Sequence, residues 1–173
     1  MRRLIVLAVV LAASVAAMAE NKMQVFGGYQ YTNAGLGYNR VGIAKGWDAD
    51  FEYKISKGMG IVGDVSGANK EGSKIHTFMG GPRFSMNGRK FTPFAEGLFG
   101  MAILSSYGNN SKKMSMAFGG GVDWRIGRNL SVRLAKVDYN LVKVDSFSPL
   151  PGGSGWMTYM KNLRFATGVV VKF

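Results

Sequence analysis

Apolar and polar residues alternate with a period of two along most of the chain after residue 20. From Trp47 to Ile55, apolar residues occupy every second position, and the positions between them hold Asp48, Asp50, Glu52 and Lys54. A β-strand with different surroundings on its two faces has this pattern, whereas helical spacing would distribute the charges around a cylinder. Seven further segments alternate in the same way. The pattern predicts eight strands, over residues 23–31, 47–55, 61–66, 76–84, 91–101, 114–126, 130–141 and 163–173.

The seventh segment changes phase within the strand. Its first half has Leu130, Val132 and Leu134 as the apolar set, whereas its second half has Val137, Tyr139 and Leu141. A β-bulge adds one residue to a strand and so reverses the facing of every residue that follows. The sequence therefore predicts a bulge near Lys136.

The connections between these strands alternate in length. Short connections fall at residues 56–58, 87–88 and 127–129, and long ones at residues 33–45, 67–74, 105–113 and 145–160. Barrels of the bacterial outer membrane have short periplasmic turns and longer external loops. An even number of strands also returns both chain ends to the periplasmic side. We therefore predict an all-β fold, an eight-stranded antiparallel up-and-down transmembrane β-barrel.

The first nineteen residues have the layout of a secretory signal peptide. Arg2 and Arg3 precede an uncharged run from Leu4 to Ala17, and Ala17-Met18-Ala19 is a small-x-small cleavage site. The alternative is a retained anchor, but the run is shorter than the roughly 20 residues that a spanning helix needs. We expect residues 1–19 to be a cleaved signal peptide and residues 20–173 to be the barrel domain.

Composition and charge exclude several classes of protein. Charged residues make up 18% of the chain, too few for a solvated helical bundle, and the 47% apolar content excludes disorder. The absence of cysteine excludes disulfide frameworks and thiol catalysis, and the single histidine excludes a zinc site built on several histidines. The 22 basic and 10 acidic residues give a net charge of +12, which favours a polyanionic partner. Because export argues against nucleic acid, a phosphate-rich membrane surface is the expected partner.

Two segments resemble a known family. The C-terminal Gly168-Val169-Val170-Val171-Lys172-Phe173 alternates and ends on phenylalanine, and Gly80-Gly81-Pro82-Arg83-Phe84-Ser85 precedes Phe91-Thr92-Pro93-Phe94 in a recurrent hairpin pattern. Over residues 20–173 the chain resembles the small outer-membrane β-barrel proteins of Gram-negative bacteria, of the OmpA/OmpX type ("outer membrane protein beta-barrel domain"). The resemblance implies an outer-membrane location and insertion by the barrel assembly machinery. It also implies a C-terminal assembly signal at Phe165, Val169, Val171 and Phe173.

Aromatic residues fall near both ends of the predicted strands. Aromatic rings concentrate at the two membrane–water interfaces because they are amphipathic. An alternative is a row of exposed rings that binds single-stranded nucleic acid or sugar. The strand directions predict two belts. The periplasmic belt consists of Tyr53, Phe84, Phe91, Trp124 and Phe173. The outer belt consists of Tyr29, Tyr31 and Trp47.

The positions that face away from lipid carry balanced charges. Six acids (Asp48, Asp50, Glu52, Asp64, Glu96, Asp123) accompany six bases (Lys54, Arg83, Arg125, Arg133, Arg164, Lys172). An eight-stranded barrel leaves an interior only wide enough for side chains, and buried charges there must pair. We predict a plug in which the four arginines bridge carboxylates of neighbouring strands, without an open pore. On this basis Glu96→Ala would cost about 3–5 kcal/mol.

Three features suggest chemistry, and each has a plainer explanation. His76 could serve an enzyme acting on lipopolysaccharide, but its same-face neighbours Lys74 and Phe78 supply neither nucleophile nor carboxylate. Asp48, Asp50 and Glu52 could bind a divalent cation, but successive same-face positions are about 7 Å apart. The Gly119-Gly120-Gly121 run lacks the lysine and helix of a phosphate loop, and glycine in a barrel wall marks a kink or close approach. We expect no catalytic site, metal or cofactor.

The predicted outer rim is basic. It holds seven bases, Arg40, Lys45, Lys70, Lys74, Lys112, Lys113 and Lys161, against Glu71 and Asp145. Such a rim faces the phosphates of lipopolysaccharide, and simple solubility of exposed loops is an equal alternative. The leading hypothesis is a monomeric outer-membrane barrel with a structural or interaction role, such as envelope integrity, adhesion or resistance. The alternatives are a lipid-modifying barrel enzyme, a small porin-like channel and a soluble lipocalin-like binder.

Overall fold

The computed structural model describes residues 22–34, 43–70, 73–106, 109–145 and 157–173. The predicted signal peptide, Arg40 and Glu71 lie outside these residues. The strands are β1 (Met23–Ala34), β2 (Ile43–Lys54), β3 (Met59–Lys70), β4 (Ser73–Ser85), β5 (Phe91–Ser106), β6 (Asn109–Arg125), β7 (Leu130–Asp145) and β8 (Met157–Lys172). Within the described ranges, no helix has the length and apolar character needed to cross a membrane.

The eight strands form one closed barrel in chain order. Each strand pairs antiparallel with the next, and β8 closes the barrel on β1, for example at Val25↔Val171 and Asn33↔Leu163. At the end of this seam the Phe173 amide donates to the Met23 carbonyl over 2.8 Å. Closure leaves no strand edge unpaired, as a bilayer requires. The predicted eight-stranded antiparallel barrel is confirmed.

Two of the predicted long loops are instead strand. β3 continues to Lys70 and β4 begins at Ser73, while β5 continues to Ser106 and β6 begins at Asn109. Pairing extends to Lys70↔Ser73 and Ser106↔Asn109. The prediction of loops over residues 67–74 and 105–113 was wrong because alternation fades where both faces of a hairpin meet polar surroundings, although the backbone pairing continues.

The two halves of the barrel wall differ in height. β1–β4 have 12 or 13 residues each, whereas β5–β8 have 16 or 17. A tilted strand needs only about 9–11 residues to cross a bilayer. The short turns, residues 55–58, 86–90 and 126–129, lie at one end of the barrel. The extra length of β5–β8 therefore projects at the opposite end, beyond the membrane.

The two faces of the wall have opposite character. Large apolar side chains cover the outside, and they include Phe51, Ile61, Phe78, Phe99, Phe118 and Val137, each at least two-fifths exposed. Charged and amide side chains fill the inside. This distribution suits a barrel surrounded by lipid. It does not fit the soluble lipocalin-like alternative, whose strands would face water on the outside.

The predicted bulge in β7 is confirmed. Arg133 pairs with Gly168 of β8, but the next paired residue, Lys136, lies opposite Ala166, so two β7 residues oppose one on the partner strand. The register of β6 with β7 shifts at the same level, between Val122 and Asp123. Arg133 and Lys136 therefore both point inward although three positions separate them, and both are fully buried.

Candidate functional site

A buried charge network fills the middle of the lumen. Its members come from every strand except β1, and each is at most 5% exposed. The polar positions of the alternating pattern place them inward. We call this the lumen network, and it consists of Asp48, Asp50, Glu52, Asp64, Arg83, Glu96, Asp123, Arg133, Lys136, Asp138 and Arg164.

Arg83 organises the part of the network nearest the short turns. Its guanidinium donates to Asp50 over 3.0 and 3.2 Å, to Glu52 over 2.9 Å and to Glu96 over 2.6 Å. The Gln24 amide donates a hydrogen bond to Glu52 from β1. Three carboxylates on two strands thus share one planar cation, which suits the fork of an arginine.

Arg133 lies between two inward-facing aromatic rings. Its guanidinium carbon is 4.3 Å from the centroid of the Phe26 ring and 4.5 Å from that of Phe94. Its nitrogens contact Asp123 at 2.8 and 3.2 Å and Asp50 at 2.6 Å. Cation–π contact and charge-assisted hydrogen bonds therefore hold the same group from four sides.

Lys136 lies at the centre of the network. Its Nζ atom is 2.6 Å from Asp64 and 3.2 Å from Asp48, and it is 3.4, 3.5 and 3.9 Å from Asp50, Glu96 and Asp138. β7 and β3, which carry Lys136 and Asp64, are four strands apart in a barrel of eight. The contact therefore joins opposite walls across the full width of the lumen.

Arg164 forms the outer end of the network. It holds Asp64 through two hydrogen bonds of 2.9 and 3.0 Å and Asp138 through two of 2.7 and 2.9 Å. It also donates to the Ser66 hydroxyl over 3.0 Å. Beyond it lies a cavity of about 30 Å³, lined by the apolar residues Ala68, Ile75 and Val142 and by polar residues that include Gln30, Thr32, Thr77, Asn140 and Asn162. Such a volume holds a water molecule or two.

Apolar side chains close the space beside the charges. Val62, Met79, Leu98 and Ala117 form a buried cluster on β3–β6, and Phe26, Ala166 and Val170 form another on β1 and β8. Barrels of eight strands have an interior that side chains can fill. The lumen is therefore a packed interior at the level of the network.

The network differs from the predicted inward set at five residues. Lys136 and Asp138 are buried in it although the predicted charge inventory omitted both, and Arg125 is exposed at the end of β6 beside a short turn. The bulge supplied the missing signal: once Val137 and Tyr139 face outward, their neighbours Lys136 and Asp138 face inward. Arg125 is the last residue of its strand and lies at the mouth, beyond the buried layer. Lys54 and Lys172 likewise lie at the mouth, and the other nine predicted lumen residues lie in the network.

The inclusion of Lys136 and Asp138 changes the charge balance. Within the described ranges, seven carboxylates and four bases are buried in the lumen. Three further bases, Lys54, Arg125 and Lys172, alternate with outward residues at the mouth beside the short turns and are only partly buried or exposed. Inward charges thus total seven of each sign, but positive charge gathers at the mouth and negative charge in the middle.

The structure places His76 on the outer surface, away from the carboxylates. A Cβ atom added at Gly67 would lie 2.7 Å from Trp47 Nε1 and 3.1 Å from His76 Nδ1, so both rings cover that glycine. Gly67 pairs with both residues across β2 and β4. Asp48, Asp50 and Glu52 instead take part in the lumen network. The described residues contain no group of three or more acidic or histidine side chains arranged to hold a metal ion.

The predicted belt residues lie on the outward face. Tyr29 pairs with Trp47 and packs edge-to-face on Tyr31, and Phe91 pairs with Trp124 at the other end. Seven of the eight are more than two-fifths exposed, and Phe173 is partly exposed: the seven are Tyr29, Tyr31, Trp47, Tyr53, Phe84, Phe91 and Trp124. Phe165 and Val169 are likewise exposed on β8, and Val171 is partly exposed.

Several solved structures of outer-membrane barrels share this fold. Neisserial surface protein A (NspA) superposes with a TM-score of 0.61 at 17% identity, over 88% of this chain and 97% of that one. The N-terminal barrel domain of Pseudomonas aeruginosa OprF gives 0.58 at 8% identity, over 88% and 98%. Ail, the attachment invasion locus protein of Yersinia pestis, in complex with the heparin analogue sucrose octasulfate, gives 0.54 at 17% identity, over 87% and 97%.

These likenesses are structural. No protein-family model matches the sequence, and no curated protein sequence matches it. The resemblance to small outer-membrane barrels is confirmed at the level of the fold.

Proposed function

We propose that this chain, which has the fold of the small outer-membrane β-barrels, is a non-enzymatic integral outer-membrane protein with a closed lumen and a structural and interaction role. The contact between Lys136 and Asp64, 2.6 Å long and reaching between opposite walls, is the observation that carries the proposal. Export by the signal peptide and location in the outer membrane are part of it, supported by residues 1–19 and by the outer-membrane barrels that share the fold.

We expect the lumen to stay closed because opening it would cost free energy. Parting the network would leave buried charges without partners, and each uncompensated ion costs several kcal/mol even after relaxation. Arg83, Arg133, Lys136 and Arg164 together engage seven carboxylates on five strands. Ions could pass only by displacing several of these contacts at once. The barrel is therefore expected to act through its surface rather than as a pore.

Single-channel recording in planar bilayers tests the closed lumen. Wild-type barrel should show no steady, large conductance. Lys136→Ser/Arg164→Ser removes the central and outer cations and should raise conductance, whereas Lys112→Ser/Lys143→Ser makes the same charge change on the outer surface and should not. Steady, large conductance from the wild type would overturn the proposal in favour of the small porin-like channel.

The interaction role is assigned to a ring of outward lysines. Each lies two positions beyond an outward residue of the outer membrane interface, for example Lys45 beyond Trp47 and Lys74 beyond His76. They occur on five strands and are at least partly exposed. We call this the outer lysine ring, and it consists of Lys45, Lys74, Lys112, Lys143 and Lys161. Lys143 was absent from the predicted rim, and the side chains of Lys70 and Asp145 lie outside the described residues.

The outer lysine ring favours lipopolysaccharide as a partner. Its side chains point sideways toward the surrounding leaflet, where the phosphates of lipid A would lie, rather than upward as loop lysines do. Positive side chains at this level attract and hold anionic headgroups. The complex of Ail with a polysulfated sugar gives a precedent for polyanion binding by a barrel of this fold.

Binding of lipopolysaccharide to purified barrel in neutral detergent tests this assignment. Lys74→Gln/Lys112→Gln/Lys161→Gln should weaken binding by at least about tenfold, taking about 1 kcal/mol for each charge. A matched variant at the other end, Lys57→Gln/Arg89→Gln/Lys90→Gln, should bind as the wild type does. Equal loss in both variants would mean that net charge alone drives binding and would refute the ring.

The enzyme alternative has a direct test. Lipid A is extracted from cells with and without the protein and compared by mass spectrometry. An unchanged acylation and headgroup pattern is expected, because His76 lies beside Trp47 on the outer surface while the carboxylates point inward. A protein-dependent mass change would favour the barrel enzyme.

A further inference from the structure

The periplasmic end of the barrel carries an excess of basic side chains. Eight bases lie in the described residues at this end, and residues 53–60, 84–92, 124–131 and 171–173 contain no Asp or Glu. Three of the eight, Lys54, Arg125 and Lys172, face the lumen mouth, where they offset the surplus of carboxylates in the lumen network. The other five have no such role. We call these five the periplasmic base ring, and it consists of Lys22, Lys57, Arg89, Lys90 and Arg128.

The periplasmic base ring is exposed and held at fixed backbone positions. All five side chains are exposed, and none of them forms an ion pair within the described ranges. Hydrogen bonds tie each segment to its neighbours: the Lys54 amide donates to the Lys22 carbonyl over 2.7 Å, and the Arg125 amide donates to the Lys90 carbonyl over 2.8 Å. Asn87 donates to the Lys57 carbonyl through its side chain. The bases are thus distributed around the rim by a connected set of turns.

We infer that the periplasmic base ring binds anionic glycerophospholipids of the inner leaflet. The bases lie immediately beyond the outward aromatic residues Tyr53, Phe84, Phe91 and Trp124, which are exposed at the level of a membrane interface. Their spread over all the short turns fits a leaflet that surrounds the barrel, whereas a single protein partner would contact one side. Basic residues at this depth attract the phosphates of anionic lipids.

An open, shallow groove lies between two of the turns, where one lipid could be held. It has a volume of about 710 Å³ and is lined by Lys57, Gly58, Met86, Asn87 and Pro93, among others. A second groove of about 380 Å³ shares Gly58, Met86 and Pro93 with it and adds Phe84 and Ala95. The Ser85 amide, which donates to the Gly58 carbonyl over 2.8 Å, joins the two turns that form its walls.

The two grooves match the two parts of a phospholipid. Lys57 stands at the end nearest the water, where a headgroup phosphate would lie. Phe84 and Met86 are 55% and 77% exposed and would cover an acyl chain. The inference requires the barrel to span the outer membrane with its short turns inside, but it does not depend on the outer lysine ring or on the closed lumen.

Native mass spectrometry of the full barrel in neutral detergent tests the inference. The barrel is titrated with phosphatidylglycerol and, separately, with phosphatidylcholine of the same acyl chains. Wild type should retain phosphatidylglycerol in preference. Lys57→Gln/Arg89→Gln/Lys90→Gln should lower that retention at least about tenfold, and Lys74→Gln/Lys112→Gln/Lys161→Gln, the same charge change at the other end of the barrel, should lower it much less. Each variant is first shown to be folded by its different gel mobility before and after boiling.

Three results would overturn the inference. They are equal affinity of wild type for the two lipids, undiminished phosphatidylglycerol retention by the periplasmic variant, and equal loss in both variants. Selective capture of muropeptides by the periplasmic ring, without preference for phosphatidylglycerol, would reassign it to the cell wall. If the barrel fails the phosphatidylglycerol test but still binds lipopolysaccharide, the proposed function stands, because the two rings share no residue.

Discussion

Lys136 and Asp64 face each other from opposite walls of the barrel, and their charged atoms lie 2.6 Å apart. No local pairing of strands brings them together, because β7 and β3 are separated by three strands in either direction. The contact therefore depends on the whole barrel being closed at its correct diameter. Four other carboxylates lie within 4 Å of the same nitrogen, which makes Lys136 the residue on which the lumen network depends most.

Lys136→Met should lower the free energy of unfolding by about 3–5 kcal/mol, because it leaves buried carboxylates without their shared cation. Urea unfolding of refolded barrel in detergent, followed by the change in gel mobility, measures this. Lys112→Met is the matched control on the outer surface and should change stability by no more than about 0.5 kcal/mol. A variant as stable as wild type would show that water or other cations replace the ammonium group.

Glu96→Ala should cost about 1–3 kcal/mol. This is less than the value expected from the sequence, because Arg83 keeps Asp50 and Glu52 after Glu96 is removed. The loss comes from the Arg83 Nε–H, whose acceptor at 2.6 Å is Glu96. Glu96→Gln, which retains an acceptor oxygen, should cost less than Glu96→Ala in the same urea titration. Equal costs would show that charge, rather than the hydrogen bond, determines the effect.

Gly119→Ala should destabilise the barrel by about 1–3 kcal/mol through overpacking. A Cβ atom there would lie 2.1 Å from Asp138 Oδ1 and 2.3 Å from the Val137 carbonyl oxygen, so the backbone of β7 would have to move. Gly63→Ala is the control, since a Cβ at Gly63 meets nothing within 4 Å. If both variants unfold at the same urea concentration, the close approach of β6 and β7 is not required.

Phe173→Ala should reduce the assembled fraction in cells without impairing refolding in detergent. The amide of Phe173 closes the β1–β8 seam at Met23, and this backbone contact survives removal of the ring. Phe91→Ala removes a different periplasmic belt ring and serves as the control. The assembled fraction is measured from the unboiled band in membrane extracts. Equal assembly of the two variants would argue that the terminal ring is not an assembly signal.

The fold could be predicted because the two faces of each barrel strand have different surroundings, lipid on one side and the lumen on the other. Trp47–Ile55 alternates almost without exception, and β2 was placed from it with three of its inward acids. The same reasoning was weaker at the outer ends of β3 and β6, where Gly67, Ala68 and Ser111 show little contrast. The length of a strand outside the membrane depends on how far the two strands of a hairpin stay paired. The alternation of apolar and polar residues does not indicate where that pairing ends.

The members of the lumen network could be predicted, but its contacts could not. Facing follows from position along one strand, whereas the partner of an inward side chain depends on strand tilt and stagger across the barrel. The sequence therefore indicated that Arg164 faces inward but not that it forms ion pairs with Asp64 and Asp138. The inward facing of Lys136 and Asp138 could have been predicted, because the sequence already indicated that Val137 and Tyr139 face outward.

The extra residue between Arg133 and Lys136 shifts the alternation of inward and outward side chains in the second half of β7 relative to the first half. Deleting Leu134 would remove the bulge and leave Lys136 facing inward, whereas deleting Val137, beyond the bulge, would carry Asp138 into the hydrocarbon and Tyr139 into the interior, because facing along a strand has a period of two. Substitutions in this strand can be tolerated one side chain at a time, whereas a single deletion would reverse an entire half-strand. The length of β7 is therefore expected to be under tighter restraint than its amino-acid identities.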